Sequence, residues 1–385
     1  MRKASAARWS MAAAAGALSA VAAFSPLSGA STRAPQVRKA ACNWAKATSV
    51  ASCGGMSALV AAAKKEGQLN VITLPRDWAN YGTIMDSFSK KYGIKITDAN
   101  PDGSSQDEIN AMEQLKGQNR APDVLDMGTA FAIKADQAHL LAPYKVATYS
   151  SIPATAKAAD STWYDDYGGY VAIGYDASKV KVPPTSFKDL LKPIYKNEVA
   201  INGNPTEAGA AFAAVYAASL ANGGSFANIE PGIKYFQKLH QVGNFVPVTG
   251  SATTVESGQT PILIWWDYLL ASEVQPSVKS FKIVIPTDAH YAAYYSQAIN
   301  ANAPDPAAAR LWEEYLYSQT GQNLWLAGKA RPIELSTLVS HHTANMSAYK
   351  ALPAVTGGGS LVFPSSAQNQ KAETLVAQQW ASKVG

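Results

Sequence analysis

Two hydrophobic periods alternate along this chain. Residues 56–66 carry apolar side chains at helical spacing, 68–74 form a short apolar run that reads as a strand, and 80–92 return to helical spacing with Ile84, Met85 and Phe88 on one face. Strands over 94–97 and 123–127 then flank a helix over 107–116 whose first turn is acidic, where the helix dipole favours carboxylates. A second series follows, with strands at 170–175, 199–201, 261–265, 281–286 and 294–299 and helices at 186–191, 206–220, 233–240 and 306–318. This βαβα rhythm belongs to an α/β fold whose sheets are covered by helices on their faces. No internal repeat, coiled-coil heptad or long low-complexity run interrupts it.

The most informative run is 262–268, Ile-Leu-Ile-Trp-Trp-Asp-Tyr. A buried strand that ends in two indoles, a carboxylate and a phenol belongs at the mouth of a site, because ligands of open α/β sheets settle beyond the carboxyl ends of the strands. Trp266, Asp267 and Tyr268 are therefore candidate ligand residues. An aromatic face within about 6 Å of a cation contributes roughly 0.5–2 kcal/mol, and a neighbouring carboxylate adds a charge-assisted hydrogen bond. The pairing suits an amine or another organic cation. The competing reading makes the indoles core and Asp267 a helix cap, since adjacent strand residues face opposite sides.

Other strand ends supply further candidates. Asp77, Trp78 and Tyr81 follow the first strand, and Asp126 and Thr129 follow the strand over 123–127. Trp163 opens the cluster 163–167, Trp-Tyr-Asp-Asp-Tyr, which reads either as a solvated turn or as ligand contact. Asn204 stands before the alanine-rich helix, whose free N–H groups suit an acid group unless the side chain simply caps the turn. Tyr294, with Tyr291 and Tyr295, suits packing or stacking on a ligand.

Composition places the chain outside the cell. Arg2, Lys3 and Arg8 precede an apolar run over 11–24, and Ser28-Gly29-Ala30 supplies small residues for cleavage, so 1–30 reads as a secretory signal. No later stretch reaches the roughly 18 apolar residues of a membrane span. Cys42 follows no lipoprotein-type box, which favours a soluble protein in a periplasm. Cys42 and Cys53 are the only cysteines and read as one disulfide within an N-terminal extension over 31–55; closing so short a loop is worth about 3 kcal/mol in the chain-entropy model.

The formal charge of +5 is a property of the leader and its tail: from Glu66 onward 28 acidic side chains face 24 basic ones. That is the reverse of a nucleic-acid reader and a weak bias toward cationic ligands. No serine elbow, zinc helix, Walker loop or dinucleotide fingerprint occurs, so neither catalysis nor a cofactor is expected. His341 and His342 diverge on a helix and make a poor metal pair. An exported hydrolase using Asp165–Asp166 or Glu313–Glu314 is one alternative, although the latter pair suits the exposed face of its helix; a scaffold is another.

Five co-linear segments carry a family resemblance: EGQLNVITLP, APDVLDMG, PPTSFKDLLKPIYKNEVAI, SGQTPILIWWDY and APDPAAARLWEEYLYSQTGQNLWLAGKARPI. Together they resemble the extracellular solute-binding proteins of bacterial ABC importers, in the branch of polyamine, thiamine, aminoethylphosphonate and ferric-ion binders. The resemblance implies a two-lobed type 2 periplasmic-binding-protein fold, each lobe a mixed, mostly parallel sheet flanked by helices, with the ligand cleft between. It implies lobe 1 at 56–169 plus about 288–340, lobe 2 at 170–287, crossings at 170–175 and 297–301, and a C-terminal helical segment, 341–385, packing on both. The partners implied are a small solute and the permease and ATPase subunits at the membrane, served by a monomer. Adjacent tyrosines of the ferric binders are replaced here by Trp265-Trp266-Asp267-Tyr268, which disfavours iron; tryptophan with aspartate looks more like the polyamine binders.

Overall fold

One strand of fourteen residues, Trp163–Asp176, organises the molecule. The computed structural model describes residues 42–353, 355 and 363–385, so the expected signal segment lies outside the described residues. The strands are β1 Gln68–Ile72, β2 Lys95–Ala99, β3 Val124–Gly128, β4 Leu141–Ala142, β5 Trp163–Asp176, β6 Val199–Ile201, β7 Phe245–Thr249, β8 Ile262–Trp266, β9 Phe281–Val284, β10 Ala292–Asn300 and β11 Arg331–Pro332. Helices α1 Met56–Glu66, α2 Tyr81–Tyr92, α3 Ser105–Gln114, α4 Thr129–Gln137, α5 Gly209–Ala221 and α6 Glu230–Gln241 cover them.

β1 pairs with β2 in parallel, and a longer path runs β3-β10-β5-β8-β6-β7. Parallel pairing holds where helices return the chain, between β6 and both β7 and β8. β5 and β10 instead run antiparallel to their neighbours. The first half of β5 pairs with β10 and its second half with β8 and β9, so this strand belongs to both parts of the sheet.

Every residue of β5 is buried, including Asp165 and Asp166, which overturns the solvated-turn reading of 163–167. A strand buried on both faces shows no polar alternation, and its acids are held by hydrogen bonds from Ser296 and Gln297. Glu313 and Glu314 are also buried rather than exposed; Glu314 accepts hydrogen bonds from the Tyr144 hydroxyl and the Ala147 N–H. The helix expected at 186–191 shrinks to two single turns, Asp189–Leu191 and Pro193–Tyr195, because Pro193 forbids continuation. Residues 42–55 are not a loose extension. Cys42 is joined to Cys53, Trp44 is buried, and the buried Arg310 guanidinium donates to the carbonyls of Ala45 and Ala47.

α5 is apolar on all sides and buried from Ala210 to Ser219, as expected of a helix wholly inside a core. Its amino end meets that of α4 at Gly128 and Gly209, where a side-chain carbon on Gly128 would come within 2.9 Å of the Gly209 Cα. The C-terminal helix Ser366–Lys383 packs on α4 and α6 through residues such as Trp380, whose ring meets Phe236.

Asp267 opens the helical turn after β8, fully buried, and accepts hydrogen bonds from the Arg331 guanidinium and the Tyr170 N–H. Arg331 also donates to the Pro353 carbonyl and lies over the Tyr170 ring. Removing one member of such a pair leaves an uncompensated buried charge, which costs about 3–5 kcal/mol. Arg331→Leu is expected to lose that much unfolding free energy in urea, with much of it recovered in the Arg331→Leu/Asp267→Leu double variant. Equal losses in single and double variants would show that the pair is not the cause.

Candidate functional site

β1, β2, β6 and β8 deliver their carboxyl ends, and the antiparallel β10 its amino half, to one cleft of about 540 Å³. Thr73 to Trp78 follow β1, Pro101 to Glu108 follow β2, Asp126 lies in β3, Asn202 to Ala210 follow β6, and Trp265 and Tyr295 come from β8 and β10. Carboxylates approach from both sides, with Asp77, Glu108 and Asp126 on one and Glu207 and Glu273 on the other; no lysine, arginine or histidine lines the cleft.

Asp126 forms the floor. Its Oδ2 accepts hydrogen bonds from the hydroxyls of Tyr81 and Tyr167, each at 2.8 Å, and its N–H donates to Glu108 Oε2. Its Oδ1 has no partner among the described residues. Burial pushes the carboxyl up to about 7, against the two phenols that stabilise its charge. Glu108 is pushed well above the carboxylate range by burial and by the nearby Asp126. The phenols are themselves fixed: the Trp78 indole donates to Tyr167 Oη at 2.8 Å and the Gln297 amide to Tyr81 Oη at 2.9 Å.

The walls are aromatic. Trp78 meets Trp265 and Tyr295 edge to face, at 5.7 Å in each case. The Trp265 indole N–H and Glu273 Oε1 are buried without partners among the described residues. Glu273 is held in a π-helical turn, Leu270–Val274, a form found often at functional sites. Burial, and secondarily Asp77, push its carboxyl up to about 8. A carboxylate, an acid poised near neutrality and three rings without a resident cation form an arrangement that a positively charged guest would complete.

Asp77, Trp78, Asp126 and Asn204 thus line the cleft together, with Tyr81 directly behind Asp126. Asn204 accepts hydrogen bonds from the Thr206 N–H and hydroxyl, the turn-capping role. Trp163, Trp266 and Tyr294 line a different, smaller cavity. Asp267 is committed to Arg331, and Tyr268 is fully buried, stacked on Trp266 and edge-on to Tyr167; neither lines the cleft. The cause is strand parity: Trp265 and Trp266 face opposite sides of β8, and the indole on the cleft side is Trp265. That the two indoles face opposite sides was readable, but which one faces the cleft is set by the register of β8; Glu273 had no signal, because a π turn has no sequence period of its own.

Residues 119–380 match the model of the bacterial extracellular solute-binding protein family, and the chain belongs to that family. The fold is the two-lobed type 2 periplasmic-binding architecture, and the protein is the substrate-binding component of an ABC importer, with a small-molecule ligand and permease partners. Solved structures similar to it include the periplasmic binding protein AfuA from Actinobacillus pleuropneumoniae with fructose-6-phosphate bound, at 18% identity and TM-score 0.69 over 83% of this chain and 99% of that one. Iron-bound HitA from Pseudomonas aeruginosa shares 17% identity at TM-score 0.59 over 81% and 99%. Trichodesmium FutA in complex with iron and citrate shares 19% at 0.54 over 83% and 99%. No curated protein matches by sequence. Among the described residues no helix is long and apolar enough to cross a membrane.

Carboxyl-¹³C NMR of aspartate-labelled protein tests the floor. A signal titrating near pH 7 is expected to vanish in Asp126→Asn and to move upward in Tyr167→Phe, which removes a hydrogen bond to the charged form. An Asp126 signal titrating in the ordinary carboxylate range would contradict this geometry.

Proposed function

We propose that the solute is a small organic cation, polyamine-like or thiamine-like, captured in the periplasm and handed to the permease. The observation that carries this reading is a cleft lined from both sides by carboxylates, with no basic side chain to neutralise them. Asp126 anchors the positive group, Trp78, Trp265 and Tyr295 surround it, and Asp77 and Glu273 hold the mouth. Bridging both sides, the solute stabilises the closed arrangement by its differential affinity for it. Micromolar capture needs only about 8 kcal/mol in total.

The same reading assigns 56–169 with about 288–340 to one lobe and 170–287 to the other, joined by β5 and β10. It takes 1–30 as a removed signal and the working form as a monomer. One feature favours a second reading: α5 begins without a side-chain cap, and its first residues Gly209 and Ala210 line the cleft. A helix amino end of this kind accepts an acid group, so an aminophosphonate or another zwitterion is the alternative solute. Ferric ion draws no comparable support, since Trp265-Trp266-Asp267-Tyr268 stands where the ferric binders carry adjacent tyrosines.

A thermal-shift panel of polyamines, thiamine and its phosphates, aminophosphonates, sugars, sugar phosphates and ferric citrate tests the proposal. A solute at one hundred times its Kd adds about 2.7 kcal/mol to folded stability. Asp126→Asn and Trp265→Ala are each expected to weaken the best organic cation by about tenfold or more, or 1.4 kcal/mol, while remaining folded. A selective response to a sugar phosphate or ferric citrate would overturn it.

The pH dependence has a definite sign. Asp126 and Glu273 have folded-state pKa values near 7 and 8, above their unfolded values, so their contribution to stability is full at low pH and is lost as pH rises through those values. A cation prefers both groups ionised. Its affinity is therefore expected to rise between pH 6 and 8, by up to about tenfold per pH unit for each proton released. Affinity that is flat or falls over that interval would contradict the assigned anchors.

A further inference from the structure

Trp266 points away from the solute cleft into a second cavity of about 40 Å³. One water needs about 10–15 Å³ on this measure, so the space admits a compact guest of a few heavy atoms. Trp163, Tyr291 and Tyr294 share its walls with Trp266, and Asp165 and Asn369 supply its buried polar groups. Both are more than nine-tenths buried, at 2% and 5% exposure. Thr155 and Ser366, both exposed, mark the mouth.

Asp165 spends one oxygen on the fold and keeps the other. Oδ1 accepts the hydroxyls of Ser296 at 2.7 Å and Thr129 at 3.1 Å, which also answers the positive amino end of α4. Oδ2 has no hydrogen-bond partner among the described residues. No lysine, arginine or histidine lines the cavity.

We infer that this cavity is a second site, adjoining the solute cleft across Gly209 and Tyr295, for a compact organic ammonium ion held between Asp165 and the rings of Trp163, Trp266 and Tyr294. Ring faces attract a cation within about 6 Å of their centroids, and the free oxygen of Asp165 supplies the charge-assisted hydrogen bond or ion pair. Burial holds the Asp165 carboxyl up at about 7, a penalty on its charged form that a bound cation offsets. The walls come from α4, α5, β8, β10 and the C-terminal helix.

The test is titration of the full chain with methylammonium and tetramethylammonium chloride, read by tryptophan fluorescence and calorimetry, with tert-butyl alcohol as the neutral counterpart and potassium chloride as the inorganic one. Saturable binding of at least one ammonium is expected and should persist in the cleft variant Asp126→Asn. It should weaken about tenfold or more, equivalent to 1.4 kcal/mol, in Asp165→Asn. Asn369→Phe, which places a ring in the cavity from the C-terminal helix and leaves the Asp165 hydrogen bonds in place, should give the same loss and serves if Asp165→Asn fails to fold. The inference is overturned by no saturable binding of either ammonium, by binding unchanged in Asn369→Phe, by its loss in Asp126→Asn, or by equal binding of potassium or the alcohol.

Discussion

The carboxylate of Asp126 is the constraint around which the cleft is arranged. It is buried in β3 without a basic partner, so its charge is tolerated only through hydrogen bonds that other elements bring to it: Tyr81 from α2 and Tyr167 from β5. Those phenols are in turn oriented by Gln297 from β10 and by Trp78. A polar network in a low-dielectric interior fixes its members when satisfied and exposes any member left unpaired. Asp126 Oδ1, the Trp265 N–H, Glu273 Oε1 and Gln297 Oε1 are buried without partners among the described residues, and the first three belong to residues that line the cleft. The fold thus keeps acceptors and a donor ready at the place where a solute enters.

Two aspartates show how context divides structure from function. Asp267 and Asp126 each lie near the end of a strand, and both are buried. Asp267 has a guanidinium beside it and a backbone N–H on its other oxygen, so its valence is filled and it holds Arg331 and Tyr170 in place. Asp126 has only neutral donors and one free oxygen. A buried charge with a permanent counter-ion is already compensated; one without it is a demand that a cationic solute can meet.

Much of the fold was legible because α/β alternation is written in hydrophobic period. α1 and β6 fall on their expected residues, and β1, α2, β3 and β8 lie within a few residues of the expected spans. The long strand β5 was legible only in its apolar second half, since its first half carries Tyr and Asp side chains that look solvated until β10 and Gln297 are known to cover them. Of the candidate site, Asp77, Trp78, Asp126 and Asn204 followed from strand ends alone. Within the 262–268 run Trp265 lines the cleft and the expected Trp266 lines the smaller cavity: two adjacent tryptophans cannot share a face, and which one faces the cleft depends on the register of β8 against β5 and β6. Asp267 looked like a ligand because its partner, Arg331, lies 64 residues away in the chain.

The central claim is that a cation is bound by carboxyl groups that begin partly protonated. Calorimetric titration of the purified protein at pH 7 with its best organic cation, in two buffers of different ionisation heat, measures the protons exchanged on binding. The account predicts net proton release for the unaltered protein and less release for Asp126→Asn. Binding with no proton exchange, or with proton uptake, would contradict it.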